Sequence, residues 1–255
     1  MLADSRARTA LGAFFAARGR RRPDEPAVAV EPLPTFPPAP WELGGWGIAT
    51  LGLVDSRAAA AFVPPGAQLV SILPGKTVGG LFFVSYDRGS LRYRELNVIA
   101  GIIRVGARFA FLLPRLYVDS PASLAGGRDI WGVPKELASF EVAHDIGVTS
   151  IHVRQGSRSV CRLRCSVPES GMRLPLPLPS FGTRDDSFLF FTGKMSSRVS
   201  PARAAVDFPA ESEFGAVGFD RPRFAFRCDD LTLVVPAPRI VRRPVARVAA
   251  SYGTS

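Results

Sequence analysis

Of the 32 basic residues in this 255-residue chain only three are lysines, Lys76, Lys135 and Lys194, and the rest are arginines. Arginine serves wherever positive charge alone is needed, so each lysine is a candidate for chemistry that a guanidinium cannot do. Imine formation is such a chemistry. A neutral amine must attack the carbonyl carbon, and with a free pKa near 10.4 only about one lysine in a thousand is neutral at pH 7.4. Lys135 stands in Gly126-Gly127-Arg128-Asp129-Ile130-Trp131-Gly132-Val133-Pro134-Lys135-Glu136-Leu137-Ala138. Here a helix is expected to end, glycine and proline shape a turn, and Lys135 opens the next apolar strand. Burial among Ile130, Trp131, Val133 and Leu137 favours the neutral amine.

Other constellations carry less. Gly75-Lys76-Thr77 imitates the end of a phosphate-binding loop, but the first glycine of that motif falls at Val70, so a turn between strands is expected. His144 and His152 are the only histidines and have no cysteine or carboxylate at zinc-like spacing, so no metal is expected, nor any cofactor. No Gly-x-Ser-x-Gly elbow marks a hydrolase. Asn97, followed by Val98 and Ile99, is no glycosylation site.

Residues 126–138 resemble the signature of the acetoacetate decarboxylase-like family, roughly Gly-Arg-Glu, an aromatic or small pair, then Pro-Lys-Lys-Leu. The matching positions are Gly127, Arg128, Asp129, Trp131, Gly132, Pro134, Lys135, Leu137 and Ala138. The resemblance implies that Lys135 forms the imine. Tyr93-Arg94-Glu95-Leu96 resembles the strand bearing the family's active-site glutamate, which implies an acid/base or proton-relay role for Glu95. The strong match covers about residues 83–142, and a weaker one runs from Trp41 to Arg239. Two departures stand out. Glu136 replaces the second lysine of decarboxylating members, removing an adjacent cation that would depress the amine pKa. The arginine that the family places near its N-terminal strand, for the substrate carboxylate, falls at about Gly45. No arginine lies between Arg22 and Arg57, which leaves Arg92, Arg94, Arg104 and Arg115 as substitutes.

The function implied is that of a carbon–carbon lyase that forms a Schiff base through Lys135 with a keto acid or ketone. A protonated imine is an electron sink for decarboxylation and for aldol addition and dehydration alike, so the reaction stays open between them. The alternative is a non-catalytic barrel that binds an apolar metabolite. In a third reading Glu95 is only a structural partner of a buried arginine such as Arg128.

The elements that must position these residues are mainly strands. Short β-type runs broken by Gly, Pro and Asp are predicted at 46–54, 68–73, 80–86, 94–104, 108–118, 137–143, 148–154, 159–167, 187–192 and 222–235, a pattern of sandwiches and barrels. Helices are predicted at 55–62 and 120–131, the second opened by a Ser120 cap and a first-turn Pro121. Leu174 to Pro179 alternates leucine and proline and is expected at an edge or in a polyproline-type segment. The fold class is therefore mainly β (α+β). The resemblance adds that an antiparallel sheet closes into a cone-like barrel with an apolar cavity, and that the chain forms homo-oligomers. A basic, proline-rich arm is expected at 1–40, the domain at 41–240 and a basic tail at 241–255.

The net charge of +10 sits at the ends. Residues 1–22 hold six arginines against Asp4 and residues 236–255 hold four more, so the body between is nearly neutral and offers no face for phosphates. Neither nucleic acid nor membrane is an expected partner; a small keto acid or ketone is. No apolar run is long enough to span a bilayer, because Arg104, Arg108 and Arg115 interrupt the most apolar stretch. Cys161 and Cys165 lie four apart on one strand face, about 13 Å and too far for a disulfide. Reduced thiols point to the cytoplasm.

Overall fold

The computed structural model describes residues 35–242 apart from 169, 210, 211, 213, 220 and 221. They fall in one compact unit, Pro34–Ser255. The expectations for residues 1–34 and for the tail from 243 onward lie outside the described residues.

The strands are β1 (Trp41–Asp55), β2 (Gln68–Val70), β3 (Lys76–Gly89), β4 (Tyr93–Ile99), β5 (Gly101–Val105), β6 (Arg108–Leu112), β7 (Arg115–Val118) and β8 (Lys135–Leu137). They continue with β9 (Ser139–Asp145), β10 (Val148–Gln155), β11 (Arg158–Ser166), β12 (Met172–Arg184), β13 (Ser187–Ala202), β14 (Ala204–Asp207), β15 (Phe224–Val235) and β16 (Arg239–Arg242). Two α-helices are described, α1 (Ser56–Ala60) and α2 (Pro121–Trp131). The Asp55 carboxylate accepts from the amides of Arg57 and Ala58 at the start of α1. Ser120 caps α2 by accepting from the Ser123 amide, Pro121 supplies a fixed φ in its first turn, and Gly132 ends it in the left-handed region at φ 65°.

A large sheet runs β2-β5-β6-β12-β13-β15-β1-β3-β4-β7-β8, with β16 added beside β13; a second, antiparallel sheet runs β14-β11-β10-β9. Leu81, Phe83, Ile48, Val153 and Leu163 belong to one buried apolar cluster that joins residues of the two sheets. The expected closure into a barrel does not occur: β2 and β8 end the large sheet, pairing only with β5 and β7 in its order. Both end strands are three residues long, and after Leu137 the chain leaves the large sheet for β9 of the other one. The ladders are also not all antiparallel, since β7 pairs β8 and β6 touches β12 in parallel.

The leucine–proline segment forms the first half of β12 and pairs with β13 throughout. Alternate amides of a strand point to opposite sides, so prolines at 175, 177 and 179 put every missing donor on the side away from β13. Toward β6 the only registered pair is Ser180 with Phe111, one residue past the last proline. The chain thus spends its donor-less residues on an edge and keeps Leu174, Leu176 and Leu178 for one face. Around Gly75, a turn joins Leu73 to Lys76, as expected of a linker rather than a phosphate loop.

Cys161, Cys165 and Cys228 are free and buried. Burial pushes the Cys161 thiol up to about 12 and Cys228 to about 11, and raises Cys165 as well. A group raised in this way stays protonated where an exposed thiol ionises, so none of the three is a nucleophile at pH 8. Ellman's reagent is expected to titrate none of them in the native chain within minutes at pH 8 and all three in denaturant. Rapid stoichiometric reaction of the native protein contradicts this burial.

Candidate active site

Register brings the two residues singled out by sequence to one face. Lys135 on β8 pairs with Leu116 on β7, Leu116 pairs with Asn97 on β4, and Glu95 pairs with Val118. Residues two apart on a strand share a face, so Tyr93, Glu95 and Asn97 point the same way as Leu116 and Lys135. Two strand spacings, roughly 10 Å, separate β4 from β8, and the long lysine stem spans the gap. Its Nζ lies 2.6 Å from Glu95 Oε2, 3.0 Å from Ser123 Oγ and 3.5 Å from the Tyr93 hydroxyl. Lys135 is 5% exposed and Glu95 6%. Asn97 Nδ2 donates to the other carboxylate oxygen, Glu95 Oε1, at 3.0 Å and to the Phe82 carbonyl at 3.2 Å. Both oxygens of Glu95 are therefore held in place.

Helix α2 covers this pair with small residues. Ser123, Gly126 and Gly127 stand at i, i+3 and i+4, on one helix face. A Cβ at Gly127 would lie 2.5 Å from Lys135 Cδ, and one at Gly126 would lie 2.6 Å from the Trp41 ring, so glycine at these sites makes room for the lysine stem and the indole. Arg128 Nε donates to the Lys135 carbonyl at 2.9 Å and fixes the backbone from which the stem rises. Arg128 does not pair with Glu95, whose partners are Lys135 and Asn97. Gly127→Ala must push the stem aside. A displacement near 1 Å typically costs about 10²-fold in rate, so a Lys135-dependent reaction is expected to fall by that order while helix content is kept. An unchanged rate shows that the stem tolerates the methyl.

The amine opens into a cavity of about 400 Å³. Leu174, Leu176 and Leu178 of β12 form part of its wall, with Trp41, Leu43, Phe82, Trp131, Phe191 and Leu233. Burial, and secondarily the Glu95 charge, raise the Tyr86 and Tyr93 hydroxyls well above the usual phenol range, so both stay neutral. Among the described residues lining the cavity, Lys135 is the only cation and Glu95 the only anion.

The arginines expected to replace the missing carboxylate partner do not reach this space. Arg94 pairs with Asp119 at 3.3 Å, Arg104 bonds Gln68, Arg115 pairs with Glu136 at 2.9 Å, and Arg92 is exposed. Gly45, where the family's arginine would fall, abuts β3 so closely that a Cβ would lie 1.9 Å from the Ser85 carbonyl oxygen. Glu136, in register with Tyr117, faces away from the cavity toward Arg115 and Gln155. It therefore does not set its charge beside Lys135.

Tyr93, Asn97 and Ser123 complete the site, and sequence reading did not single them out for it. A signal existed: side chains with polar groups at 93, 95 and 97 alternate along one face of the strand, in the middle of a largely apolar region, which marks a face turned toward something polar. Ser123 with Gly126 and Gly127 marked the small face of α2 in the same way. No cluster of three or more His, Cys, Asp or Glu side chains suited to a metal occurs among the described residues. No helix there is long and apolar enough to cross a membrane.

Comparison with known proteins gives this geometry a context. The profile of the family described as "Acetoacetate decarboxylase (ADC)" matches residues 31–204. "Protein NEOXANTHIN-DEFICIENT 1" of Solanum lycopersicum is 32% identical over 217 residues, covering 68% of this chain and 73% of its own. The crystal structure of acetoacetate decarboxylase from Legionella pneumophila superposes with a TM-score of 0.65 at 15% identity, covering 82% of this chain and 90% of that one. The enduracididine biosynthesis enzyme MppR complexed with pyruvate gives 0.62 at 17% identity, over 80% and 91% of the two chains.

Proposed function

The chain belongs to the acetoacetate decarboxylase family, and on that premise we propose that it is an imine-forming carbon–carbon lyase in which Lys135 is the nucleophile and Glu95 the proton acceptor and donor. The observation that carries this reading is the Lys135–Glu95 pair itself, 2.6 Å apart and buried at the edge of an apolar cavity. Buried ion pairs are poor sources of stability, and apolar replacements of similar volume are often neutral or better. A pair kept at this place is therefore explained by chemistry more readily than by folding.

In the reaction Glu95 takes a proton from the Lys135 ammonium, and the free amine adds to a carbonyl carbon. The carbonyl oxygen collects the proton from Glu95, and a second one from the nitrogen, and leaves as water. The product is an iminium whose charge again faces the Glu95 carboxylate at the position the ammonium held. Electrons from a bond at the adjacent carbon then flow into the iminium, giving an enamine, with either decarboxylation or aldol addition and dehydration as the outcome. Ser123 supplies a hydroxyl within 3.0 Å of the nitrogen throughout, and Asn97 keeps Glu95 aimed at it. A cytoplasmic location and homo-oligomeric assembly belong to the same reading, with a domain at 41–240 between a basic arm and a basic tail.

Acetylacetone tests it. This diketone condenses with a nucleophilic lysine to a conjugated enamine that absorbs in the near ultraviolet. The wild-type chain is expected to develop that band and the Lys135→Met chain to lack it; equal spectra exclude Lys135 as the nucleophile. The alternative, a non-catalytic chain that binds an apolar metabolite, draws on the apolar lining alone, and ligand affinity unchanged by Lys135→Arg together with no enamine band supports it.

A further inference from the structure

The charges around the cavity select among carbonyl compounds. Lys135 and Glu95 balance each other, and no other charged side chain lines the cavity among the described residues. Imine formation preserves this balance for a neutral substrate: the ammonium and a ketone or aldehyde become an iminium and water, and one positive charge still faces one carboxylate. A keto acid adds a carboxylate with no cation to meet it. The one cation present is already bound to Glu95 and becomes the iminium, and an unpaired charge in an apolar surround is heavily penalised.

Size points the same way. A cavity of about 400 Å³ equals the liquid volume of roughly thirteen waters, within the range that holds drug-sized ligands, and a three- or four-carbon keto acid leaves most of it unfilled. Part of the lining is Leu174, Leu176 and Leu178, whose segment uses proline to hold a strand edge and offers only apolar side chains to the space.

We infer that the cavity takes an uncharged aldehyde or ketone with an apolar body and discriminates against keto acids. The inference rests on the imine-forming reading of Lys135. It has a chemical consequence: without a carboxylate to lose, the enamine arises when Glu95 takes a proton from the carbon beside the iminium, the C–H electron pair becoming the new carbon–carbon double bond while the carbon–nitrogen π pair moves onto nitrogen. The carbon nucleophile so formed suits carbon–carbon bond formation with a second carbonyl compound, not decarboxylation.

The test compares acids with their own neutral esters on the wild-type chain. Acetoacetate, methyl acetoacetate, pyruvate, methyl pyruvate and methyl hexyl ketone are each incubated with the protein and cyanoborohydride, and the reduced adducts are mapped by peptide mass spectrometry. Lys76 and Lys194, both exposed, report the intrinsic reactivity of each compound and normalise the result. Each methyl ester is expected to label Lys135 at least about tenfold faster than its acid, and methyl hexyl ketone to label it as well. If acetoacetate or pyruvate labels Lys135 as fast as its ester, the inference is overturned while the imine-forming role stands. If no compound labels Lys135 above Lys76 and Lys194, both fall together.

Discussion

Lys135→Met should abolish imine formation and lower any Lys135-dependent turnover by about 10³-fold or more, because loss of the nucleophile removes the covalent route entirely. Methionine keeps an unbranched stem of similar reach beside Gly127, so the packing under α2 survives and the loss is chemical. Lys135→Arg should be equally inactive although it preserves the charge facing Glu95, since a guanidinium forms no imine. Activity within tenfold of wild type in either variant would show that the cavity works by another group. The cost in stability is separable: removal of the cation strands the Glu95 carboxylate in an apolar surround, and a buried pair broken at one partner typically loses about 3–5 kcal/mol.

Glu95→Gln should reduce turnover by about 10²–10⁴-fold, the usual contribution of a positioned proton carrier, while the amine itself remains. The glutamine keeps an oxygen to accept from Asn97 Nδ2, so the side chain stays in place and the missing function is proton transfer. Imine trapping at Lys135 should then be slowed but not lost, which distinguishes this variant from Lys135→Met. Stability gives a second readout. Each single variant leaves one buried charge alone, whereas the double variant Lys135→Met/Glu95→Gln leaves none, so the double should unfold at higher denaturant than either single. Additive losses would mean that the two groups do not interact as a pair.

Local order was legible where the chain states it twice. The Ser120 cap, the first-turn Pro121 and the closing Gly132 define α2 from both ends, and alternation along 148–154 and 159–167 defines β10 and β11 almost to the residue. Where the chain turns within an apolar run, alternation continues through the corner and hides it. Thus 94–104 reads as one strand but divides at Ala100, whose amide bonds Leu112 across the β5–β6 hairpin, and 108–118 divides at Leu113 and Pro114. Residues 137–143 divide at Ala138, where the chain passes from one sheet to the other. Strand β13 shows only its aromatic start, because Ser196, Ser197 and Ser200 look unlike a core although Ser197 and Ser200 are buried.

The open sheet illustrates a different limit. Closure depends on register between strands far apart in the chain, and nothing local to β2 or β8 states whether their free edges meet. Likewise, lysine scarcity and the family resemblance point to Lys135 and the resemblance alone to Glu95, but their meeting depends on the Asn97–Leu116–Lys135 register across three strands. The same register, read one residue on, turns Glu136 outward toward Arg115, so the residue in the place of the second lysine does not face the amine. The absent arginine has the opposite outcome: its substitutes pair with Asp119, Gln68 and Glu136 or, for Arg92, face solvent, and Lys135 is the single cation among the described residues lining the cavity.

The proposal makes the buried amine of Lys135 the group that captures carbonyl compounds covalently in an apolar cavity. Treating the wild-type chain with methyl hexyl ketone in the presence of cyanoborohydride, and mapping the adduct by mass spectrometry, reports which of Lys76, Lys135 and Lys194 forms the iminium that is reduced. Stoichiometric modification of Lys135, ahead of the two exposed lysines, is the predicted result. Modification confined to Lys76 and Lys194, with the peptide bearing Lys135 unchanged, would contradict the account.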